Sequence, residues 1–344
     1  MVKKRERNRI VYIPYYGNGV RTNNTNEYTF NMVKILKNKY SVTGSLAKPT
    51  ELLKMLRTKA VFLNWVEATG LSRKMKIQLM LHKLFGAKLI WVFHDKYPHD
   101  VDKNSKMTRN MNWLAQYSSA IMLHSKNSRK YVPGSAQNKK KAVFVPHILY
   151  ESHNETVSTD IIREKYQITE DNFVFTMFGI IRPYKNFERG IEAFQKLNLD
   201  NAKLLIVGSP FDLEYAKKIE HLCKEDENII LDMHYISDAR LDAIIDISDV
   251  ILVPYKNESS MNSGVMIQAF SRGTTVIVPD ICMARDMAAY KFFYMYRESL
   301  DKVMLKAYKN GKVFNRSMGK KAKEYMYQNN NSDIVEMKID TILK

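Results

Sequence analysis

At 344 residues the chain is longer than one hydrophobic core usually supports, which predicts two domains of about 150–170 residues each. Hydrophobic residues at 45% and charged residues at 26% are the proportions of a globular protein, and two cysteines outside any metal spacing, Cys223 and Cys282, exclude a disulfide framework. The formal net charge of +18 calls for an anionic partner: nucleic acid, a membrane surface or a phosphorylated ligand.

The N-terminal MVKKRERNRIVYIPYYG is basic, but its apolar run is too short for a signal peptide and reads as a first strand over 9–17. No stretch approaches the ~18 apolar residues of a membrane span. With the cysteine usage this predicts a reducing, cytoplasmic setting. NEYTFNMVKILKNKY (26–40) has apolar residues at helical spacing, AVFLNWVEA (60–68) reads as a strand, and SRKMKIQLMLHKLFG (72–86) reads as a helix stopped by Gly86. Strands follow at 88–95, 118–125 and 141–150. After the polar ESHNETVSTD (151–160) the alternation restarts. Strands are expected at 172–181, 202–210, 228–236, 249–255 and 274–279, and helices at 186–197, 213–226, 239–248 and 265–272. A last helix runs from Asp333 to Leu343, with Asp333 and Glu336 spaced as a capping box. Strands alternating with helices predict parallel sheets covered on both faces, which bind ligands beyond the carboxyl ends of their strands.

The residues after the strands therefore carry the functional weight. In GIIRPYKNFERG, Gly179 lets backbone approach a ligand, and Arg182 and Lys185 offer a fork and a point charge to phosphate oxygens. Pro183 stiffens this turn and Asn186 is placed to cap the next helix. Alone, the stretch reads equally well as a solvated loop with two surface cations. In MNSGVMIQAFSRG, Ser263 and Gly264 open a helix with no acid beside it. Such a start is either an ordinary cap or an anion site. Gln268, one turn on, faces the same side and suits a sugar hydroxyl. Two cations after one strand and a bare helix start after another would converge on one diphosphate.

These stretches, with LLIVGS and DVILVPYKNESSMNSGVMIQAFSRGTTVIVPD, resemble the C-terminal half of GT-B glycosyltransferases, the retaining family 4 (glycosyl transferases group 1) above all. WVFHDKYPHD, AIMLHSKNS and VFVPHILY are similar to the strand ends of its N-terminal half. The resemblance implies an α/β GT-B fold, with two Rossmann-like doubly wound domains facing across a cleft. Residues 1–165 would be the acceptor-side domain, 166–325 the nucleotide-sugar domain, and 326–344 a helix packing back on the first. It also implies a hexosyltransferase that uses a UDP- or GDP-sugar, needs no metal or cofactor, and acts with retention on a glycan or lipid-linked glycan in surface polysaccharide biosynthesis.

By the same resemblance Arg182 and Lys185 stabilise the leaving diphosphate and His94 positions the donor sugar. Gly17, Gly19, Gly179, Ile236, Glu258, Ser260, Ser263, Gly264 and Gln268 line the donor, and Asn64, Trp65 and Glu67 the acceptor. Family 4 usually shows two glutamates with seven residues between them. Here Gln268 takes the second place and Ser260 the first, with Glu258 two residues earlier. Gln can still donate and accept at a ribose.

The 72–88 segment carries Arg73, Lys74, Lys76, Lys83 and Lys88 and no acid, opposite Met75, Leu79, Met80, Leu84 and Phe85. The apolar side is expected to pack on the sheet, and the positive side to favour peripheral association with anionic membrane at the inner face of the cell membrane. Two alternatives stand beside the transferase: a non-catalytic GT-B protein that binds nucleotide or glycan, suggested by Ser260 and Gln268, and a basic nucleic-acid-binding protein, for which no recognition signature is present. An epimerase of the same fold needs acids that the cleft lacks.

Overall fold

Short runs of buried valine, isoleucine, leucine and phenylalanine set most of the strands of this protein. The computed structural model describes residues 7–14, 26–96, 106–151, 155–256 and 260–344. They form two six-stranded sheets, parallel throughout, one in each of two compact units. Unit 1 comprises 1–148 with 330–344, and unit 2 comprises 149–329.

Unit 1 holds β1 (Arg9–Ile13), α1 (Glu27–Lys37), β2 (Ser41–Thr43), α2 (Leu52–Arg57), β3 (Thr58–Asn64), α3 (Val66–Thr69), α4 (Arg73–Leu84), β4 (Lys88–Phe93), α5 (Lys106–Tyr117), β5 (Ala120–Leu123), α6 (Ala136–Lys140) and β6 (Ala142–Phe144). The sheet order is β2-β1-β3-β4-β5-β6. The expected strand at 60–68 ends at Asn64. Trp65 then turns the chain in the left-handed region (φ 47°) into the one-turn α3. The strand expected at 141–150 is only three residues long. α4 departs from expectation too, because of its apolar residues only Leu79 is buried, together with His82.

Unit 2 opens with α7 (Thr159–Tyr166) and continues through β7 (Phe173–Phe178), α8 (Phe187–Leu197), β8 (Ala202–Val207), α9 (Leu213–Cys223), β9 (Ile229–Asp232), α10 (Asp238–Ile247), β10 (Val250–Leu252), α11 (Gly264–Arg272), β11 (Val276–Pro279), α12 (Cys282–Met287), β12 (Tyr294–Tyr296) and α13 (Leu300–Asn329), which is broken at Gly311 (φ 76°). The sheet order is β12-β11-β10-β7-β8-β9. The expected division at 165 falls too late. α7 packs on α10, and Lys165 and Tyr166 bond the Asp232 carboxylate at 2.6 and 2.8 Å, so this helix belongs to unit 2.

The chain ends in α14 (Ser332–Leu343), which packs on unit 1: Lys39 pairs with Asp340 at 2.7 Å, and Lys88 donates to the Ile342 carbonyl at 2.9 Å. Its cap is Asn331, whose side chain accepts from the Ile334 amide at 3.0 Å, and not Asp333 as the capping-box spacing suggested. Asn186 stands at the start of α8 but in the left-handed region (φ 56°), where its side chain makes no capping bond.

Candidate active site

In unit 2 the order β10-β7-β8 makes β7 and β10 neighbours from which successive crossovers run in opposite directions. This is the switch point at which open parallel sheets leave a crevice beyond their strand ends. Two segments emerge there: 179–186 after β7, and after β10 the described residues 253–256 and 260–263. Gly179 (φ 97°) leads the first, and its amide donates to the Val207 carbonyl at 3.0 Å. A side chain at Gly179 would put its Cβ 2.6 Å from the Lys185 ammonium, so the glycine makes room for that group.

Lys185 is 8% exposed, and its Nζ donates to the Phe178 carbonyl over 3.5 Å. No carboxylate pairs with it among the described residues. Burial, together with the nearby Arg182 charge, pushes its pKa down to about 7. The Arg182 guanidinium lies over the Phe211 ring at 4.1 Å, and its buried Nε has no acceptor among the described residues. Two cations side by side without an acid are costly unless an anion completes the site.

The second segment supplies amides. The Ser263 hydroxyl accepts from the Met266 amide at 3.2 Å and caps α11. Helix geometry leaves the Gly264 and Val265 N–H groups without intrahelical acceptors. Tyr255 hydrogen-bonds Ser263 and packs edge-on against Tyr184 at 5.8 Å, and the Lys256 amide donates to the Tyr184 carbonyl at 3.2 Å. A Cβ on Gly264 would lie 3.3 Å from the Tyr150 hydroxyl. The structure thus brings the Arg182–Lys185 loop and the Ser263–Gly264 helix start together through Tyr184 and Tyr255. Ser260 is buried in the same segment, and Gln268 is half-buried one turn along α11. Ile236, half-buried, follows β9 at the far edge of the sheet, and no described contact ties it to this group. Gly17, Gly19 and Glu258 lie outside the described residues.

Unit 1 has its own switch point between β1 and β3. Asn64 ends β3 fully buried, with its amide donating to the Ile13 carbonyl at 3.3 Å. The Trp65 indole stacks on His94, 4.1 Å between centroids and 13° between planes. The His94 Nε2 lies 3.3 Å from the Asn64 Oδ1. Sequence reasoning passed over the rest of this cluster: Tyr28, His124, His147 and Asp95. Tyr28 sits edge-on to His94 at 5.1 Å and to His124 at 5.0 Å, and its hydroxyl donates to the His124 Nε2 at 2.8 Å. The His124 Nδ1–H then donates to the Val145 carbonyl at 2.9 Å, and the His147 Nδ1–H to the Ile148 carbonyl at 3.0 Å.

Burial holds all three histidines neutral. His94 falls well below its ordinary value, chiefly by burial and also because a proton there would be repelled by one on His124 or His147; His124 falls to about 3 and His147 to about 4. Glu67, also buried, accepts from the Trp91 indole N–H at 3.3 Å and is pushed up to about 7 by burial. Asp95 rises to about 7 for the same reason, with the Glu67 charge adding to it. The available signal was that each histidine stands at or just beyond a strand end: His94 and His124 directly follow β4 and β5, in WVFH and IMLH, and His147 comes three residues after β6, in FVPH. Among the described residues no group of three His, Cys, Asp or Glu is arranged to hold a metal ion.

The fold is that of the GT-B glycosyltransferases: two tandem Rossmann-like units. In comparisons with solved structures, Anabaena HepE in complex with UDP-glucose superposes with a TM-score of 0.71 at 12% identity, covering 97% of this chain and 99% of that one. A glycosyltransferase from Rickettsia africae superposes at 0.67 and 14% identity, covering 99% and 98%. Residues 158–325, all within unit 2, match the family model of the glycosyl transferases group 1. A GDP-mannose:glycolipid 4-beta-D-mannosyltransferase of Xanthomonas campestris pv. campestris is 23% identical over 201 residues, 58% of this chain and 52% of that protein. The chain therefore spans about half the length of the curated relatives it matches.

Proposed function

We propose that this protein transfers a hexose from a nucleoside-diphosphate sugar to a glycan or lipid-linked glycan, in surface polysaccharide assembly at the inner face of the cell membrane. The observation that carries the reading is the acid-free pair Arg182 and Lys185 stitched to the bare start of α11. As the glycosidic bond breaks, charge accumulates on the departing diphosphate. Two fixed cations and the Gly264 and Val265 amides meet that charge without reorganising, an electrostatic role that asks for no metal. Gln268 and Ser260 are assigned to donor hydroxyls, Ile236 to the base, Asn64, Trp65 and Glu67 to the acceptor, and His94 to positioning the reacting sugar. Support for the substrate class comes from the UDP-glucose bound by HepE and from the GDP-mannose and glycolipid in the name of the Xanthomonas relatives.

The proposed stereochemical course is retention, with front-face attack assisted by the leaving phosphate. A second reading, inversion, is favoured by one observation: Glu67 and Asp95 sit near pKa 7, where a carboxylate can take a proton from an acceptor hydroxyl. Proton NMR of the product's anomeric position separates the two. The test of the whole proposal is release of free UDP or GDP from a panel of nucleotide sugars with a glycolipid acceptor. Arg182→Ala and Lys185→Ala should each lower turnover by roughly a hundredfold or more with the fold intact. Wild-type turnover in both variants removes the diphosphate site. Absence of release from every donor leaves a binding protein of the same fold.

A further inference from the structure

α4 shows solvent the side that a buried helix would hide. Ile77 is 62% exposed, Met80 37% and Leu84 78%, and at positions i, i+3 and i+7 they share one stripe. α2 lies alongside with Leu52 at 46%, Leu53 at 59% and Leu56 at 43% exposed, while only its Met55 is buried. α4 is tied to the chain ahead of α2: the Ala47 amide donates to the His82 Nε2 at 3.3 Å, and the His82 Nδ1–H donates to the Gln78 carbonyl within α4 at 2.9 Å. Met55 is the buried side of α2, and Leu79 with His82 the buried side of α4, so the exposed apolar residues of both lie on the outward sides.

Their rim is cationic. Arg73 and Lys74 on α4, and Lys54 and Arg57 on α2, are exposed. α4 contains no acid, and the acid that opens α2, Glu51, is already paired with Lys54 and accepts from the Lys48 amide. Lys76 and Lys83 turn away toward α5, over the Trp113 ring and onto the Tyr117 carbonyl. Six large apolar side chains inside a basic rim suit a surface that accepts hydrocarbon at its centre and presents negative charge around it. Two copies of this face would set like charges against each other.

We propose that α2 and α4 form a docking face for an anionic bilayer, with Leu53, Ile77 and Leu84 entering the headgroup–acyl boundary and Arg73 and Lys74 on lipid phosphates. This deepens the lipid-side reading above but rests on residues outside the donor site. The test is flotation with vesicles of phosphatidylcholine alone or containing one third phosphatidylglycerol. The wild type should float with the anionic vesicles only, and added salt should weaken binding without abolishing it. Ile77→Ser/Leu84→Ser and Arg73→Gln/Lys74→Gln should each reduce bound protein at least tenfold, with nucleotide release from a soluble donor unchanged, so a failed donor site and a failed docking face give different results. Val313→Ser, at an equally exposed apolar residue of unit 2, should bind as the wild type does. Failure to bind anionic vesicles, binding unaffected by either double variant, or a dimer in sedimentation that Ile77→Ser/Leu84→Ser dissolves would overturn the proposal.

Discussion

Lys185 shows most sharply what a folded environment does to a single group. Its ordinary pKa of 10.5 falls to about 7, so above pH 7 the unliganded site holds mostly the neutral amine. A bound diphosphate favours the ammonium, so binding takes up a proton and affinity should fall with rising pH above about 7, by up to tenfold per unit. Nucleoside diphosphate Kd measured from pH 6.5 to 9 should show that slope, and Lys185→Met should flatten it. The histidines act on stability. Because His94, His124 and His147 are lowered from 6.5, the stability they favour is present above that value and is lost as pH falls toward about 4. Glu67 and Asp95, raised to about 7, contribute in the opposite direction over the same range, so the net slope is that of about one proton. Ring-proton NMR tests the histidines one by one. All three should stay neutral at pH 5, and a midpoint near 6.5 for any of them would contradict its burial. Arg182 and Lys185 were legible in the sequence as a spacing, whereas the lowered Lys185 pKa depends on a burial that no spacing reveals.

At the level of elements the strands were legible because apolar runs and their closing glycines are local signals. Asn64–Trp65 shows the limit: an apolar sequence continuing through Trp65 hides the left-handed turn that ends β3. α4 shows another, since a helical apolar stripe says nothing about whether anything covers it. Close packing between elements is equally silent. α13 crosses the end of α11 so tightly that a Cβ on Gly319 would lie 2.0 Å from the Gly273 carbonyl oxygen and 2.7 Å from its carbon. Both are backbone atoms, so relief requires moving a helix. Gly319→Ala should therefore lower unfolding free energy by about 1–3 kcal/mol despite the better helix propensity of alanine. Urea unfolding checks this, and a stabilised variant would show that the helices part freely.

Across the whole molecule, the two-domain organisation was readable from chain length and from the restart of strand–helix alternation after residue 160. The division at 148/149 and the assignment of α7 to unit 2 were not, because they are decided by the bonds of Lys165 and Tyr166 to Asp232, far along the chain. The sheet orders decide which loops become neighbours, and the switch point between β7 and β10 brings together the two loops of the proposed anion site. Isothermal titration of UDP and GDP into the wild type and into Arg182→Ala/Lys185→Ala tests that site most directly. The wild type should bind at least one of the two, and the double variant should lose at least a hundredfold in affinity while unfolding at the same temperature without ligand. Equal affinity in both proteins, or no binding of either nucleotide by the wild type, would contradict it.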